Sequence, residues 1–183
     1  MNNKQHFTFR AVKINDRDLV HSWLAKPHVT KWFYGDGLAS TLKGLDEFIG
    51  GISSTQYWLA CDNNRPFAFL ITSLVKKPND ELSKWSVSKG TTITLDMLIG
   101  EEDYLGKKLS NTVVREFILS KFSEAEEVLI DPEATNSRAV HVYKKVGFKI
   151  LGEFTPSHSP NLHYMMRLEI KQLKDFSKLK KNE

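Results

Sequence analysis

Hydrophobic and polar positions repeat along the 183-residue chain with two periods, and each period predicts one kind of element. A period of two is typical of strands, whereas apolar residues three and four positions apart are typical of helices. By these criteria the chain begins with a strand over 6–12 and a helix over 16–25, which Asn15 caps and Pro27 ends. The pattern further predicts a loop over 26–40, a helix over 42–52, two strands within 56–75 joined by a turn at 62–64, a loop over 76–90, a strand over 91–99, a helix over 106–121, a strand over 126–131, a helix over 137–146 and strands over 148–154 and 162–170.

The order strand, helix, strand between residues 91 and 131 predicts the fold class. Such a unit closes by a right-handed crossover, so its two strands pair in parallel. We therefore predict an α/β fold with one mixed, mostly antiparallel sheet, a central parallel strand pair and flanking helices. The functional site is expected where the two parallel strands end. No repeat or low-complexity linker interrupts the pattern, so 1–183 is predicted to be a single domain.

Composition narrows the class of protein. Hydrophobic residues make up 40% of the chain and charged residues 26%, as in soluble globular proteins. The net charge of +4 owes much to the lysines of 171–183, which we interpret as a solvated basic tail. Those lysines do not interleave with aromatic residues, so a nucleic-acid partner is not predicted.

The location predicted from the sequence is the cytoplasm. With Cys61 as the single cysteine, no disulfide framework can form within the chain. The N-terminus lacks the apolar stretch of a signal peptide, and no segment approaches the roughly 20 apolar residues of a membrane span. Cys61 itself is expected to be a small buried hydrophobe rather than a nucleophile.

Residues 104–110 lie between a strand and a helix, where a phosphate can bind. A helix N-terminus exposes unpaired N–H groups and a partial positive charge of about half a unit. Gly106 lets the backbone approach a ligand closely, and Lys107 or Lys108 can add charge. The alternative is a tight strand-to-helix turn with solvated lysines beside it.

A second segment, 131–148, combines a helix start with a defined helix end. Thr135 or Asn136 can cap the helix, and Gly147 is placed to end it in a left-handed turn. The apolar side of this helix carries Ala139, Tyr143 and Val146.

The spacing in this segment resembles the motif N-x-x-A-x-x-x-Y-x-x-x-G-F of the GNAT superfamily of acyl-CoA-dependent N-acetyltransferases. The matching residues are Asn136, Ala139, Tyr143, Gly147 and Phe148. The superfamily's phosphate loop is less well matched. Its motif is Q or R, x, x, G, x, G or A, and this chain has Leu105, Lys108 and Ser110 at the three defined positions. We expect the loop still to bind phosphate through main-chain donors, with Lys108 in a helical conformation and its side chain pointing outwards.

A closer resemblance covers 21–35, 93–109 and 130–148. These segments resemble the aminoglycoside 6′-N-acetyltransferases and the siderophore-pathway lysine N-acyltransferases, which share a tryptophan-rich first loop, an I/L-D-x-L-I/L strand and a D-P pair before the asparagine. The resemblance implies a GNAT fold with strands splayed at the acyl-CoA site, acetyl-CoA as co-substrate and no metal. It assigns coenzyme A binding to Leu98, Ile99, Leu105, Gly106, Lys107, Lys108, Leu109, Ser110, Asn136 and Tyr143.

Two residues are the candidates for catalysis. Asp96 lies inside an apolar strand, where burying an unpaired carboxylate is costly. We therefore expect Asp96 to attract and deprotonate the substrate ammonium. The alternative is local pairing at a strand end. Tyr143, with a phenol pKa near ~10, can protonate the leaving thiolate, or can simply pack the helix on the sheet. The resemblance places the N–H that polarises the thioester carbonyl near Leu98.

The acceptor amine is expected to contact aromatic and acidic groups. Trp32, Phe33, Tyr34 and Asp36 in the first loop can form a wall for a cation, although aromatic clusters are as often core. The resemblance makes Asp131 a second acidic group, with turn initiation before Pro132 as the alternative. The substrate-binding residues predicted are therefore Trp32, Tyr34, Asp36, Asp96 and Asp131.

Other conspicuous residues are given structural interpretations. Trp58 and Trp85 are expected to pack, although Trp85 lies in a loop that can reach substrate. His158 and His163 show no metal-ligand spacing and are expected at the surface near the loop 155–161, which is either a substrate cover or a hairpin connection.

The leading hypothesis is an acetyl-CoA-dependent N-acetyltransferase that acts on a primary amine of a small polar substrate, as aminoglycoside 6′-N-acetyltransferases do in antibiotic resistance. The alternatives are a siderophore-pathway lysine N-acyltransferase and a catalytically weak acyl-CoA-binding module. A small-molecule partner is predicted, with the protein a monomer or homodimer.

Overall fold

The structure is a computed structural model that describes residues 7–76, 81–87 and 89–179. Within these ranges the chain forms one seven-stranded sheet. Its strands are β1 (Thr8–Ala11), β2 (Gln56–Asp62), β3 (Arg65–Leu74), β4 (Thr92–Ile99), β5 (Glu127–Ile130), β6 (Lys149–Phe154) and β7 (His163–Glu169).

Six α-helices and three short 3-10 turns complete the described part of the chain. None of these helices is long and apolar enough to span a membrane. The helices are α1 (Arg17–Leu24), α2 (Pro27–Thr30), α3 (Gly35–Ile49), α4 (Ser110–Lys121), α5 (Ser137–Val146) and α6 (Ile170–Leu179), and the 3-10 turns are Ile14–Asp16, Ser83–Trp85 and Glu102–Tyr104.

The sheet order is β1-β2-β3-β4-β5-β7-β6. Within the described residues only β4 and β5 pair in parallel, and α4 forms the crossover between them. The predicted α/β class, with a mixed and mostly antiparallel sheet and a central parallel pair, is therefore confirmed.

The sheet separates two large hydrophobic cores, and a third, small cluster contains Val75, Leu129 and Met165. Successive residues of a strand point to opposite faces, so Leu59 belongs to one core and Ala60 to the other. On one face Phe117 of α4 is fully buried. On the other, Trp23 of α1 and Leu45 of α3 are fully buried. Helices thus cover both faces of the central strands.

Two local structures form as the sequence predicts. The turn between β2 and β3 contains Asn63 and Asn64 with φ of 46° and 70°, a conformation that asparagine tolerates in hairpin turns. The side chain of Asn136 accepts a hydrogen bond from the N–H of Ala139 at 3.1 Å and caps α5. This helix ends at Gly147, whose φ is 120°.

Several predicted boundaries were wrong, because helices also form where the apolar pattern is weak. The predicted loop 26–40 contains α2 and the start of α3, so α3 begins at Gly35 instead of residue 42. The crossover helix begins at Ser110 rather than 106. Asn15 does not cap α1: it lies in the 3-10 turn, and Asp16 precedes the helix.

The C-terminal residues also differ from the prediction of a solvated tail. From Ile170 to Leu179 the chain is helical, and Ile170 and Leu173 are buried in the core beneath α4. Their spacing of three places both on one helix face, while lysines occupy other positions. Residues 180–183 lie outside the described residues.

The packing role predicted for two tryptophans is confirmed. Trp58 lies against Phe117 and Phe122, with ring centroids 5.7 and 6.2 Å away. Trp85 lies in the 3-10 turn of the predicted loop 76–90 and contacts Phe154 at 5.8 Å between centroids. Residues 77–80 and 88 of that loop lie outside the described residues.

Gly100, directly after β4, provides a test of how closely Trp23 packs against the sheet. A Cβ at residue 100 would lie 2.0 Å from the ring of Trp23, which is fully buried and cannot move aside. We expect Gly100→Ala to lower the free energy of unfolding by about 1–3 kcal/mol, measured by urea denaturation. Gly37→Ala is the matched control: the nearest atom is 3.5 Å away, and alanine in a helix should be neutral or stabilising. Equal stability of the two variants would contradict the close approach of Trp23.

Candidate active site

The central parallel strands separate from each other before β4 ends. Their pairing runs from Thr92 with Glu127 to Thr94 with Leu129, whereas β4 continues to Ile99. A cavity of about 570 Å³ opens at this separation. It is lined by the end of β4, the residues after β5, the start of α5 and the first loop.

The register of β4 decides which of its main-chain groups face the gap. Val75 N–H donates to Thr92 O at 3.0 Å, and Gly100 N–H donates to Phe67 O at 2.9 Å. Because antiparallel pairing alternates, the even-numbered residues of β4 bond to β3. The donors predicted near Leu98 are therefore the N–H groups of Met97 and Ile99, which face the gap, while the N–H of Leu98 faces β3.

The loop before α4 has the backbone of a two-glycine loop. Gly106 has φ of 75° and Lys108 has φ of 58°. The expectation that Lys108 keeps a helical conformation was therefore wrong. A left-handed conformation costs a residue with a Cβ roughly 1–2 kcal/mol, so this loop keeps its path at some expense of stability.

The helix beyond this loop has free donors at its start. Leu109 precedes α4 and provides no side-chain cap, so the first N–H groups of α4 remain available to an anion. The lysines contribute less than expected. The Lys107 ammonium lies 5.2 Å above the ring of Tyr104, and the Lys108 side chain is exposed.

Asp96 lies at the centre of the cavity wall. Its side chain is exposed on the cavity surface, and residues from β4, β5, α5 and the first loop lie around it. Burial and the charge of Asp131 raise the pKa of Asp96 to about 7, and the charge of His163 opposes the rise. A carboxyl with a pKa near neutrality can both attract an ammonium ion and accept its proton.

Tyr143 of α5 faces the same cavity and is 8% exposed. Burial and the charges of Asp96 and Asp131 raise the pKa of this phenol above its usual value. Tyr143 is therefore a weaker acid than the phenol of ordinary pKa that the sequence suggested. Its hydroxyl stays protonated and is suited to donating a hydrogen bond to a leaving sulfur.

His163 was expected at the surface, but the structure buries it. It begins β7, is 8% exposed and lines the cavity. Its Nδ1 lies 2.6 Å from Asp131 O and 3.3 Å from Asp131 Oδ2. The β7 strand pairs with β5, which ends beside Asp131, so strand pairing brings this histidine into the site.

Side chains from three loops are joined by hydrogen bonds at the cavity wall, with Glu133 as the shared acceptor. The hydroxyl of Tyr34 donates to Glu133 Oε2 at 2.7 Å, and Asn161 Nδ2 donates to Tyr34 Oη at 2.6 Å and to Glu133 Oε2 at 3.1 Å. Burial raises the pKa of Glu133, but hydrogen bonds from Thr135, Tyr34 and Asn161 outweigh burial and hold it below its ordinary value. Glu133 therefore carries its charge at neutral pH. The loop 155–161 is both the hairpin connection and part of the cavity wall.

Most of the predicted site residues lie around one cavity. Those that line it are Trp32, Tyr34, Asp96, Leu98, Ile99, Leu105, Ser110, Asp131, Asn136 and Tyr143. Outside the cavity lining are Asp36, Gly106, Lys107, Lys108 and Leu109.

Asp36 is exposed on the first turn of α3, and the other four residues outside the lining belong to the loop at the edge of the cavity. Several cavity-lining residues carry no motif and were not predicted, among them His28, Met97, Glu133, Arg138 and His163. Glu133, two residues after Asp131, could have been found by asking which acids share the predicted loop. In the described ranges, no group of three His, Cys, Asp or Glu residues is arranged for a metal ion.

Comparison with known proteins identifies the family. The model of the acetyltransferase (GNAT) domain matches residues 13–156 of the chain. The chain belongs to the GNAT acetyltransferase family. It is an N-acetyltransferase, as the sequence predicted.

Relatives of this GNAT protein include named enzymes. The crystal structure of the aminoglycoside N(6')acetyltransferase from Legionella pneumophila subsp. pneumophila str. Philadelphia 1 is 43% identical, with a TM-score of 0.85 over 95% of this chain and 98% of that one. The aminoglycoside N(6')-acetyltransferase type 1 of Klebsiella pneumoniae is 24% identical over 88% of this chain and 83% of its own. The aminoglycoside acetyltransferase AAC(6')-Ib, crystallised with coenzyme A and kanamycin, shares the fold at 22% identity and a TM-score of 0.75, over 94% of this chain and 99% of that one.

The left-handed conformation of Lys108 in this GNAT protein predicts that glycine substitutions at residues 107 and 108 change the free energy of unfolding in opposite directions. Lys108→Gly removes the left-handed strain, and we expect the free energy of unfolding to rise by about 0.5–1 kcal/mol. Lys107→Gly removes the same charge at a residue without positive φ, so it should lower stability by a similar amount. Urea denaturation of both variants measures the difference. A loss of stability in Lys108→Gly would contradict the strain.

The raised pKa of Asp96 predicts how stability depends on pH. Between the ordinary value of 3.8 and about 7, the folded protein binds more protons at this carboxyl than the unfolded protein, so stability falls as pH rises through this window. We expect Asp96→Asn to raise the Tm by a few degrees at pH 8 and to leave it nearly unchanged at pH 4. Asp36→Asn, at an exposed carboxyl outside the cavity, is the control for the loss of a carboxylate as such. The same shift for Asp96→Asn at both pH values would refute the raised pKa.

Proposed function

We propose that this protein transfers the acetyl group of acetyl-CoA to a primary amine of a small polycation, in the manner of an aminoglycoside 6′-N-acetyltransferase. The observation that carries the proposal is the convergence of three carboxylates, Asp96, Asp131 and Glu133, on one cavity at the separation of β4 and β5.

In the described part of the chain, the basic side chain paired with these carboxylates is that of His163, whose Nδ1 lies 3.3 Å from Asp131 Oδ2. Among the described residues, no lysine or arginine forms an ion pair with Asp96, Asp131 or Glu133. The acidic cavity therefore favours a ligand that brings several ammonium groups. Trp32 and Tyr34 add aromatic faces, which also attract cations.

The named relatives support the same class of acceptor. The Legionella relative, at 43% identity, is an aminoglycoside N(6')acetyltransferase. A siderophore-pathway lysine derivative carries fewer positive charges and would leave part of the acidic wall without a partner. We therefore favour the aminoglycoside-like acceptor over that alternative.

The main chain at the gap fits acetyl-CoA. The N–H groups of Met97 and Ile99 face the gap, where an extended pantetheine arm can pair as an added strand. The uncapped start of α4 offers N–H donors to the pyrophosphate, and Arg138 adds a cation at the cavity wall. We place this acetyl-CoA-consuming enzyme in the cytoplasm, as a monomer or homodimer.

The reaction follows from the positions of the polar groups. Asp96 accepts one proton from the substrate ammonium, which frees the nitrogen lone pair. The nitrogen attacks the thioester carbon, and the N–H of Met97 stabilises the oxyanion. The carbon–sulfur bond then breaks, and the second proton of the nitrogen passes to the departing sulfur. The hydroxyl of Tyr143 donates a hydrogen bond to the departing sulfur, which leaves as the thiol. Both groups face the cavity, which argues against a binding module without turnover.

Thiol release from acetyl-CoA tests this function. The acceptor panel contains an aminoglycoside with a 6′-amino group, its counterpart with a 6′-hydroxyl, spermidine and hydroxylysine. We expect turnover with the 6′-amino compound and none at that position in the 6′-hydroxyl counterpart. Asp96→Asn should reduce kcat/KM about 10²–10⁴-fold through loss of the base, and Tyr143→Phe about 10–100-fold through loss of one donor.

The panel also separates the alternatives. Selective turnover of hydroxylysine would overturn the polycation proposal in favour of lysine acylation. Coenzyme A binding measured by calorimetry, without turnover on any amine, would favour the binding module. Asp36→Asn, outside the cavity lining, should retain the wild-type kcat/KM and controls for the loss of a carboxylate as such.

A further inference from the structure

A buried histidine lies behind the acidic wall of the cavity. His163 contacts Asp131 twice, through the main-chain oxygen at 2.6 Å and the carboxylate at 3.3 Å. Its ring lines the cavity that also contains Asp96 and Tyr143. The proposed acetyl transfer assigns no proton transfer or substrate contact to this ring.

The contact with the carbonyl settles which ring nitrogen carries the proton. A carbonyl oxygen only accepts hydrogen bonds, so Nδ1 of His163 donates to Asp131 O. The other nitrogen, Nε2, has no hydrogen-bond partner among the described residues and is not a buried orphan. Nε2 is therefore the end of the ring that gains or loses a proton, and it has access to the cavity.

Acidic groups outnumber basic groups around this ring. Asp131 at the end of β5 and Glu133 after it both favour the charged imidazole, and Asp96 of β4 interacts with the ring electrostatically. His158 of the loop 155–161 is the other titratable neighbour, with ring centroids 5.9 Å apart. From β6, the ring of Phe154 packs 6.3 Å away and contributes no charge.

The direction of the histidine pKa agrees with this arrangement. Burial lowers the pKa of His163, but the hydrogen bonds and charge of Asp131, together with the charge of Glu133, outweigh burial and raise it above the ordinary value. The charge of His163 in turn lowers the pKa of Asp96. The two groups therefore favour each other's charged forms.

We propose that His163 is a positioning residue for acetyl transfer: its Nδ1–H fixes Asp131, and its imidazolium allows Asp96 and Asp131 to face the substrate amine as two carboxylates at once. Without a positive charge beside them, two neighbouring carboxylates tend to share one proton, and the shared proton would occupy the base. The inference rests on the proposed function, because Asp96 acts as the base in it.

Two substitutions separate the two parts of this role. Asn at residue 163 has a side-chain N–H near the place of Nδ1, so His163→Asn can keep the hydrogen bond to Asp131 but cannot carry the charge. His163→Ala loses both. His141→Asn, at an exposed histidine of α5 outside the cavity, is the matched control. Far-UV circular dichroism and the Tm establish that each variant is folded.

The pH profile of kcat/KM is the decisive kinetic measurement. In His163→Asn we expect the acidic limb to move to higher pH, with kcat/KM about ten-fold below wild type at pH 6 and within about two-fold at pH 8.5. His163→Ala should show the same displacement and an additional loss at every pH. The control variant should keep the wild-type profile. A uniform loss in His163→Asn, with the profile unmoved, would assign His163 a packing role and overturn the proposal.

A second measurement does not depend on turnover. The imidazole resonances of His163, followed by NMR from pH 5 to 9, report its titration in wild type and in Asp131→Asn. We expect the midpoint to move to lower pH in Asp131→Asn, and an unmoved midpoint would overturn the proposal. If the midpoint moves but the wild type acetylates no amine of the panel, the proposed function fails while the His163–Asp131 interaction stands.

Discussion

The separation of β4 from β5 is the constraint on which the site depends. Two parallel strands that pair along only three residues leave the end of β4 with main-chain groups that face no strand. His28 Nε2 lies 2.9 Å from the gap-facing Ile99 O, and a ligand with an extended amide-containing arm can pair with the N–H groups that remain. The same gap admits Tyr143 from α5 and Asp96 from β4 to one cavity, so the proposed cofactor site and the proposed acid–base groups depend on a single feature of the sheet.

Three carboxylates in one cavity repel each other, and the protein lowers the free-energy cost of this repulsion in two ways. Glu133 is held by hydrogen bonds from neutral donors, which stabilise its charge without neutralising it. Asp131 lies against His163, whose charge depends on pH. An arginine or lysine in place of these partners would form ion pairs with the carboxylates and compete with a cationic substrate. One imidazolium beside three carboxylates leaves a net negative potential for the amine.

The loop 104–110 has the backbone of a two-glycine loop although a lysine occupies one of the two positions. Lys108 takes the left-handed conformation that a glycine would adopt freely, and Gly106 takes it two residues earlier. The main-chain path therefore does not depend on the residue that the family motif prefers. The uncapped start of α4 keeps its N–H donors, and the lysine side chains are directed to Tyr104 or to solvent.

The sequence by itself determined the succession of the seven strands, the crossover helix, the central parallel pair, the cap and end of α5 and the family, because each depends on local spacing or on a short motif. It also placed Asp96 and Tyr143 in one site through the family resemblance. It did not predict α2 or α6. Only the tertiary structure decided that β7 brings His163 beside Asp131, that Tyr34 and Asn161 meet at Glu133, and that Asp36 stays outside. Those contacts join residues 28 to 127 positions apart, and no local pattern encodes them, since strand order and loop packing alone set which distant segments meet.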